Sequence, residues 1–173
     1  MNARHLFALP RFSAALSTAL LCVLAASCGG TADPAKLTDE GYAALGKSDW
    51  KGAQADFDAA LQQMQTSDAG YLRAKMGSIE ALIHTQPERA KDDFLALAKG
   101  MSSQVKASDY ITVAGKLAGN AEFVHAIAVL EAGLAAHPED PKVRAVGEKI
   151  KELATKAGDS GALNALRGLG YTD

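Results

Sequence analysis

The chain has 173 residues, 48 % of them hydrophobic and 22 % charged, with a formal net charge of −2. That length suits one domain with a buried core, and the mildly acidic balance excludes the concentrated basic face that nucleic acid requires. No stretch alternates apolar and polar residues with period two over a useful length, which excludes a sheet and leaves an all-α fold.

Arg4, His5 and Arg11 make a basic leader, and Phe12 to Ala26 follows with nothing more polar than Ser or Thr, ending at Ser27-Cys28. This run is shorter than the roughly 20 residues of a membrane-spanning helix and suits a signal peptide. Its end, Leu24-Ala25-Ala26-Ser27-Cys28, resembles the bacterial lipoprotein signal, in which a cysteine after small residues is acylated and becomes the mature N-terminus. Ala25 departs from the leucine of the commonest pattern, with Leu24 one place further back. The resemblance implies a signal peptide over residues 1–27, lipidation at Cys28, and two or three acyl chains where one alone binds membranes weakly. Ordinary cleavage and an uncleaved apolar anchor are the alternatives. Cys22 would leave with the leader, so the mature chain would hold a single thiol at its first residue and no internal disulfide. It would have 146 residues and a formal charge of −4. Gly29 after the cysteine, rather than Asp, implies by the enteric sorting rule an outer-membrane location facing the periplasm. Residues 28–36 then form a tether, whose eight residues from Gly29 to Lys36 reach at most about 28 Å.

Thr38 or Asp39 is placed to cap a first helix running to about Leu45. After the turn Gly46-Lys47-Ser48-Asp49, a second helix runs from Trp50 to about Gln65, with Trp50, Ala53, Phe57, Ala60, Leu61 and Met64 on one face. Ser67-Asp68 opens a third helix carrying Leu72, Met76, Ile79, Leu82 and Ile83. Pro87 starts a fourth, with Ala90, Phe94, Leu95, Leu97 and Ala98, ending at Gly100. A third pair runs from Ser108 to Leu117 and from Glu122 to Ala136, split by Gly119-Asn120 and ended by Pro138 to Pro141. A last amphipathic helix (Val143, Val146, Ile150, Leu153, Ala154) reaches about Ala157, and the tail 158–173 is expected to add a turn or two around Leu163 and Leu166 and then fray.

Inside these helices one spacing recurs: Ala53/Phe57/Ala60, Ala90/Phe94/Leu97 and Ala126/Leu130/Gly133, with copies starting 37 and 36 residues apart. A period in the mid-thirties marks a stacked helical-hairpin repeat. The segment Gly41-x-x-Ala44-Leu45-x-x-Ser48-Asp49-Trp50-x-x-Ala53-x-x-x-Phe57-x-x-Ala60-Leu61 resembles a tetratricopeptide repeat (TPR). The third copy adds Phe123 and Pro138. The second matches at Gly77, Ala90 and Phe94 but has one extra turn residue and lacks the opening aromatic. We therefore expect a TPR-like solenoid of about three repeats over residues 37–138, with residues 139–157 as the capping helix. Small residues would let helices approach closely, while Phe57, Phe94 and Leu130 fill the space between hairpins.

Motifs that could carry chemistry have simpler readings. Gly158-Asp159-Ser160-Gly161 looks like a serine-protease nucleophile segment, but that chemistry needs a histidine and an aspartate set around the serine on a β-barrel; a helix stop followed by a cap explains it. Ser48-x-x-Lys51 and Ser103-x-x-Lys106 match a penicillin-binding motif without its companions. His84 and His137 end helices, where a cation meets the negative end of the dipole, and His125 stands three residues after Glu122. No convergent ligand set for a metal emerges, and no cofactor or catalytic residue is implied. Asp92-Asp93 and the pairs among Glu148, Lys151, Glu152 and Lys156 read as solvated helix faces.

The TPR resemblance implies a concave groove lined by the first helix of each hairpin: Tyr42 and Leu45, then Tyr71, Lys75 and Ser78, then Ile111 and Thr112. Tyr71 and Ile111 have core packing as their alternative. The Lys/Asn clamp of chaperone-binding TPRs is absent, with Thr38, Asp39 and Tyr42 in those places. The expected role is a membrane-anchored scaffold or assembly factor that binds a protein or peptide. Self-association through the face near Leu37 and Tyr42, giving a homo-oligomer, is the alternative, and a periplasmic enzyme the least favoured.

Overall fold

A computed structural model describes residues 32–171; the leader, the Cys28 acylation signal and residues 28–31 of the tether lie outside the described residues. Among the described residues there are eight α-helices and no strand, in line with the all-α expectation. They are α1 (Pro34–Leu45), α2 (Trp50–Leu61), α3 (Tyr71–Thr85), α4 (Pro87–Gly100), α5 (Ala107–Gly119), α6 (Phe123–Ala136), α7 (Pro141–Ala157) and α8 (Ser160–Gly168). Helices α1 to α4 pack in sequence, each on the next, and α5 packs on α6. Helix α4 leans on α6, α7 packs on both α5 and α6, and α8 covers α7 and α6.

The first helix starts earlier than expected. Asp33 caps it, its carboxylate accepting from Ala35 N at 3.0 Å, and Pro34 takes the first helical position. Both are start signals, so the helix takes in residues 34–36 of the expected tether. Thr38 is not the cap. It is buried inside the helix, and its hydroxyl donates to Pro34 O at 2.8 Å. Helix α2 ends at Leu61, short of Gln65, and α3 begins at Tyr71 rather than Ser67. Between them the chain makes consecutive turns, held by the Asp68 carboxylate accepting from Gln65 N at 2.8 Å.

One turn recurs four times, the last at Gly170 (φ 90°), where Tyr171 N bonds back to Leu166 O at 3.0 Å. Ser48 (φ 59°), Ala121 (φ 61°) and Gly158 (φ 71°) adopt the left-handed conformation. Each is followed by a residue whose N–H bonds back five places: Asp49 to Ala44 O (3.0 Å), Glu122 to Leu117 O (2.9 Å) and Asp159 to Ala154 O (3.0 Å). The third copy joins α7 to α8, so the C-terminal segment turns as the earlier helix pairs do. The expected turn or two around Leu163 and Leu166 is helix α8, and where fraying was expected the chain stays packed as far as Tyr171. Helix α8 spans nine residues, with Ala162 and Leu166 buried. Gly170, at φ 90°, then reverses the chain and delivers Tyr171 onto α7, where its hydroxyl donates to Arg144 O at 3.0 Å.

Phe57, Phe94 and Leu130 are all buried, as expected of residues that fill space between helices. Phe57 is 0 % exposed and lies between α1 and α3. A Cβ on Gly41 would stand 2.8 Å from the Phe57 ring, and one on Gly77 would overlap it. Tyr42 meets the same ring edge-on at 5.1 Å. Further along, Phe94 meets Tyr110 edge-on at 5.1 Å, and Gly133 admits the Tyr110 side chain. Polar ties link helices of successive pairs: Asp39 with Arg73 at 2.7 Å, Glu80 with Lys116, and Asn120 Nδ2 donating to Ile83 O at 3.4 Å.

On α7 the expected surface pairs form. Glu152 accepts from Lys149 at 2.8 Å and from Lys156 at 2.6 Å, and these two hydrogen bonds lower its carboxyl pKa to about 2. A carboxyl depressed on folding contributes stability that is present above its unfolded pKa and lost as pH falls through the folded one. The Glu152 contribution should therefore disappear between about pH 4.5 and about pH 2. In an NMR titration, replacing both lysines with Met should return the Glu152 midpoint towards the ordinary carboxylate range. A midpoint that stays near 2 would show that the lysines are not the cause.

Candidate functional site

Nothing but Gly70 stands at the N-cap of α3, with no side-chain cap, so the helix emerges directly from the turns at Gln62–Ala69. Met64 folds back over Gly70, where a Cβ would stand 2.8 Å from its Cε. One turn apart on α3, Tyr71 and Lys75 share a face and form a ridge between two hollows. The first, about 440 Å³, has Ala96, Leu97, Gly100 and Met101 along its apolar side, with Thr66, Ser67, Asp93, Ser103 and Gln104 around them. The second, about 570 Å³, has Leu61 and Met64, with Asp58, Gln62, Gln65 and Arg89. Thr66, Tyr71 and Lys75 line both. Each volume lies in the range of ligand pockets, about 300–1,000 Å³.

The charges in this cleft face one another. Lys75 Nζ donates to Asp93 Oδ2 at 2.8 Å, and Arg89 Nε stands 4.0 Å from the same oxygen. The Lys75 and Asp93 side chains are only 21 % and 26 % exposed, so removing either leaves the other poorly solvated. Asp58 accepts from Gln54 Nε2 at 2.7 Å. By contrast, the Gln62, Gln65 and Gln104 amides and the Thr66, Ser67 and Ser103 hydroxyls have no hydrogen-bond partner among the described residues.

Of the seven expected groove residues, then, Tyr71 and Lys75 come together in a cleft and the other five do not line it. Leu45 is 8 % exposed and packs with Ala53, Phe57 and Ala81. Ser78 is 1 % exposed, its hydroxyl accepting from Gln54 Nε2 at 3.1 Å. Both belong to the interior, because the close approach of α2 and α3 covers that side of the helix. Tyr42 is half-buried and ties α1 to α3: its hydroxyl donates to Arg73 O at 2.9 Å and the Arg73 guanidinium lies 4.7 Å from its ring centre. Burial raises its pKa, partly opposed by Arg73, so it remains a neutral donor. Ile111 packs against the main core, and Thr112, although exposed, donates to Ser108 O at 2.8 Å.

Asp93 and Arg89 were not expected here. Asp93 reads as solvent-facing from sequence, because its partner on α3 is 18 residues away. Met101, Ser103 and Gln104 come from the linker between α4 and α5, whose only sequence signal is its length.

The other chemical motifs have structural roles. Gly158 ends α7, and the Asp159 carboxylate caps α8, accepting from Ala162 N at 2.9 Å. Ser48 and Ser103 lie outside helices, neither bonded to the lysine three residues on. His84 stacks on Trp50 at 3.7 Å with planes 10° apart, His137 meets Tyr110 edge-on at 5.5 Å, and His125 Nε2 lies 3.8 Å from Glu122. Among the described residues no cluster of three or more His, Cys, Asp or Glu is placed to hold a metal ion, and no helix is long and apolar enough to cross a membrane. No protein-family model, curated protein or solved structure matches the chain.

Proposed function

We propose that this chain is a lipid-anchored, TPR-like scaffold of the bacterial envelope, which holds a segment of another protein in the cleft beside Tyr71 and Lys75. The observation that carries the binding reading is that two-lobed cleft, where Leu61, Met64, Leu97 and Met101 lie among polar side chains beside the Lys75–Asp93 ion pair. Concave, mostly apolar sites with a few convergent polar groups are where ligands bind. The repeated turn at Ser48, Ala121 and Gly158 supports a stacked-hairpin reading. The three copies that join two helices fall 73 and 37 residues apart, two periods and one, which supports α7 and α8 as a fourth hairpin in place of a cap and tail. With α1 starting at Pro34, five residues separate it from Cys28. They span at most about 18 Å, which would keep the cleft near the anchoring membrane, by resemblance the outer membrane.

A photo-crosslinking residue at Tyr71, with an exposed control at Lys149, tests this in living cells. The expected result is one dominant captured protein, seen from Tyr71 alone, together with incorporation of a palmitate analogue that Cys28→Ala abolishes. Capture of the chain itself would favour self-association. The same diffuse background from both positions would overturn the cleft reading.

A further inference from the structure

The buried apolar side chains form two separate groups. One runs from Ile79 to Tyr171 through α3–α8, and among the described residues none from α1 or α2 belongs to it. The other holds Leu45, Ala53 and Phe57, with a single residue from beyond their hairpin, Ala81 of α3. Helix α3 therefore has two faces. Ile79, Leu82 and Ile83 enter the larger core, whereas Gly77, Ser78 and Ala81 meet α2. Small residues let two helices approach closely, but they remove little apolar surface from water.

We infer that α1 and α2 open away from α3 as one unit while α3–α8 stay folded. Opening costs least where few buried apolar contacts and mostly exposed polar ones hold a segment. Phe57 is the one large side chain fully buried at this joint, and its ring also lies against Gly41 and Tyr42 of α1. Opening uncovers only the α3 side of the ring, which continues to hold α1 on α2. The polar ties across the joint are weak. The Arg73 and Asp39 side chains are 54 % and 70 % exposed, and an ion pair so open to water contributes little. The Tyr42 hydroxyl meets Arg73 O at the exposed surface, and the Trp50–His84 stack joins a half-buried ring to an exposed one. Gln54 donates to Ser78 in a better shielded place, yet its Oε1 is buried there with no hydrogen-bond partner, a cost that opening relieves.

The connection to α3 suits a hinge. Residues 62–70 are the longest link between helices among the described residues, and none of them is buried. Their hydrogen bonds close local turns, and α3 then starts without a side-chain cap. The motion has a consequence for the cleft, whatever the cleft binds. Its second hollow crosses the joint, with Asp58 and Leu61 from α2 and with Tyr71, Lys75 and Arg89 from α3 and α4. The first hollow takes its apolar side from Ala96, Leu97, Gly100 and Met101. Each opening dismantles the second hollow and leaves that apolar side in place.

The test uses the full chain in mild detergent and has two readouts. The first is native-state hydrogen exchange in rising, sub-denaturing guanidinium, read by peptide mass spectrometry. Amides of α1 and α2 should share one exchange curve, with protection about tenfold or more below that of α6 and α7 and a shallower denaturant slope. The second is maleimide labelling of Ser78→Cys, at a site 1 % exposed in the joint, against Val129→Cys, at a site 0 % exposed in the larger core. Labelling read site by site should be about tenfold or more faster at position 78, which opening uncovers. One exchange curve common to all helices, or equal labelling rates, would overturn the inference and show a single cooperative unit. Separate curves for α1 and α2 would overturn their opening together. The exchange experiment needs no substitution, so it decides the matter even where a cysteine variant fails to fold.

Discussion

Phe57→Ala is expected to lower the unfolding free energy by about 3–5 kcal/mol, the cost of emptying a fully buried aromatic site. Against a typical total of about 5–15 kcal/mol, that is a large fraction of what holds the fold. The reason lies in the two glycines. Gly41 on α1 and Gly77 on α3 carry no side chain, and the ring occupies the space that theirs would take. Helix backbones cannot close the gap without moving both α1 and α3, so the cavity persists. A melt should show the midpoint falling by about 10–20 °C, while Val124→Ala, at a side chain that is 71 % exposed, should change stability by less than about 0.5 kcal/mol. A Phe57→Ala cost below about 1 kcal/mol would show that the ring does not wedge these helices apart.

The second large effect concerns Gly147 and Tyr171. A Cβ on Gly147 would overlap the Tyr171 ring, which is buried with its hydroxyl on Arg144 O. Tyr171→Ala should cost about 2–3 kcal/mol, from lost burial and one hydrogen bond. Gly147→Ala should expel the ring and forfeit the same contacts, offset by the roughly 1 kcal/mol that alanine gains over glycine inside a helix. The two changes are therefore strongly non-additive. Once Tyr171 is alanine, Gly147→Ala should become stabilising by up to about 1 kcal/mol. Denaturant unfolding of the four chains measures this coupling. Costs that simply add would mean that Tyr171 does not dock on Gly147, and α8 would then lose its lock on α7.

Much of the local architecture was legible along the chain. Pro87 and Pro141 open helices because proline suits the first helical position and cannot stand inside one. Phe57, Phe94 and Leu130 were readable as buried because they recur at helical spacing among small residues. Asp33-Pro34 carried the same start signal as later caps, but next to Gly29-Gly30 it read as tether. The last helix was obscured by composition: Gly158, Gly161, Gly168 and Gly170 look like a frayed end. Two of them instead supply the positive φ that turns the chain back on itself.

The candidate site was less legible. Tyr71 and Lys75 were found because they share a helix face, a relation that spacing alone reveals. Asp93, Met101 and Gln104 were not, since they meet that face only when α4 folds beside α3. Ser78 and Leu45 failed as groove residues for the converse reason: periodicity names a face but not what covers it.

By itself, then, the sequence determined helix identity, the near-constant period and the residues bound for the interior, because these follow from backbone preference and from apolar spacing within a few turns. Tertiary structure alone decided that Lys75 and Arg89 face Asp93, that Tyr171 fills a notch on α7, and which polar side chains ring the cleft unpaired. These outcomes depend on side chains brought together from separate helices and linkers, and no local pattern encodes the distances between them.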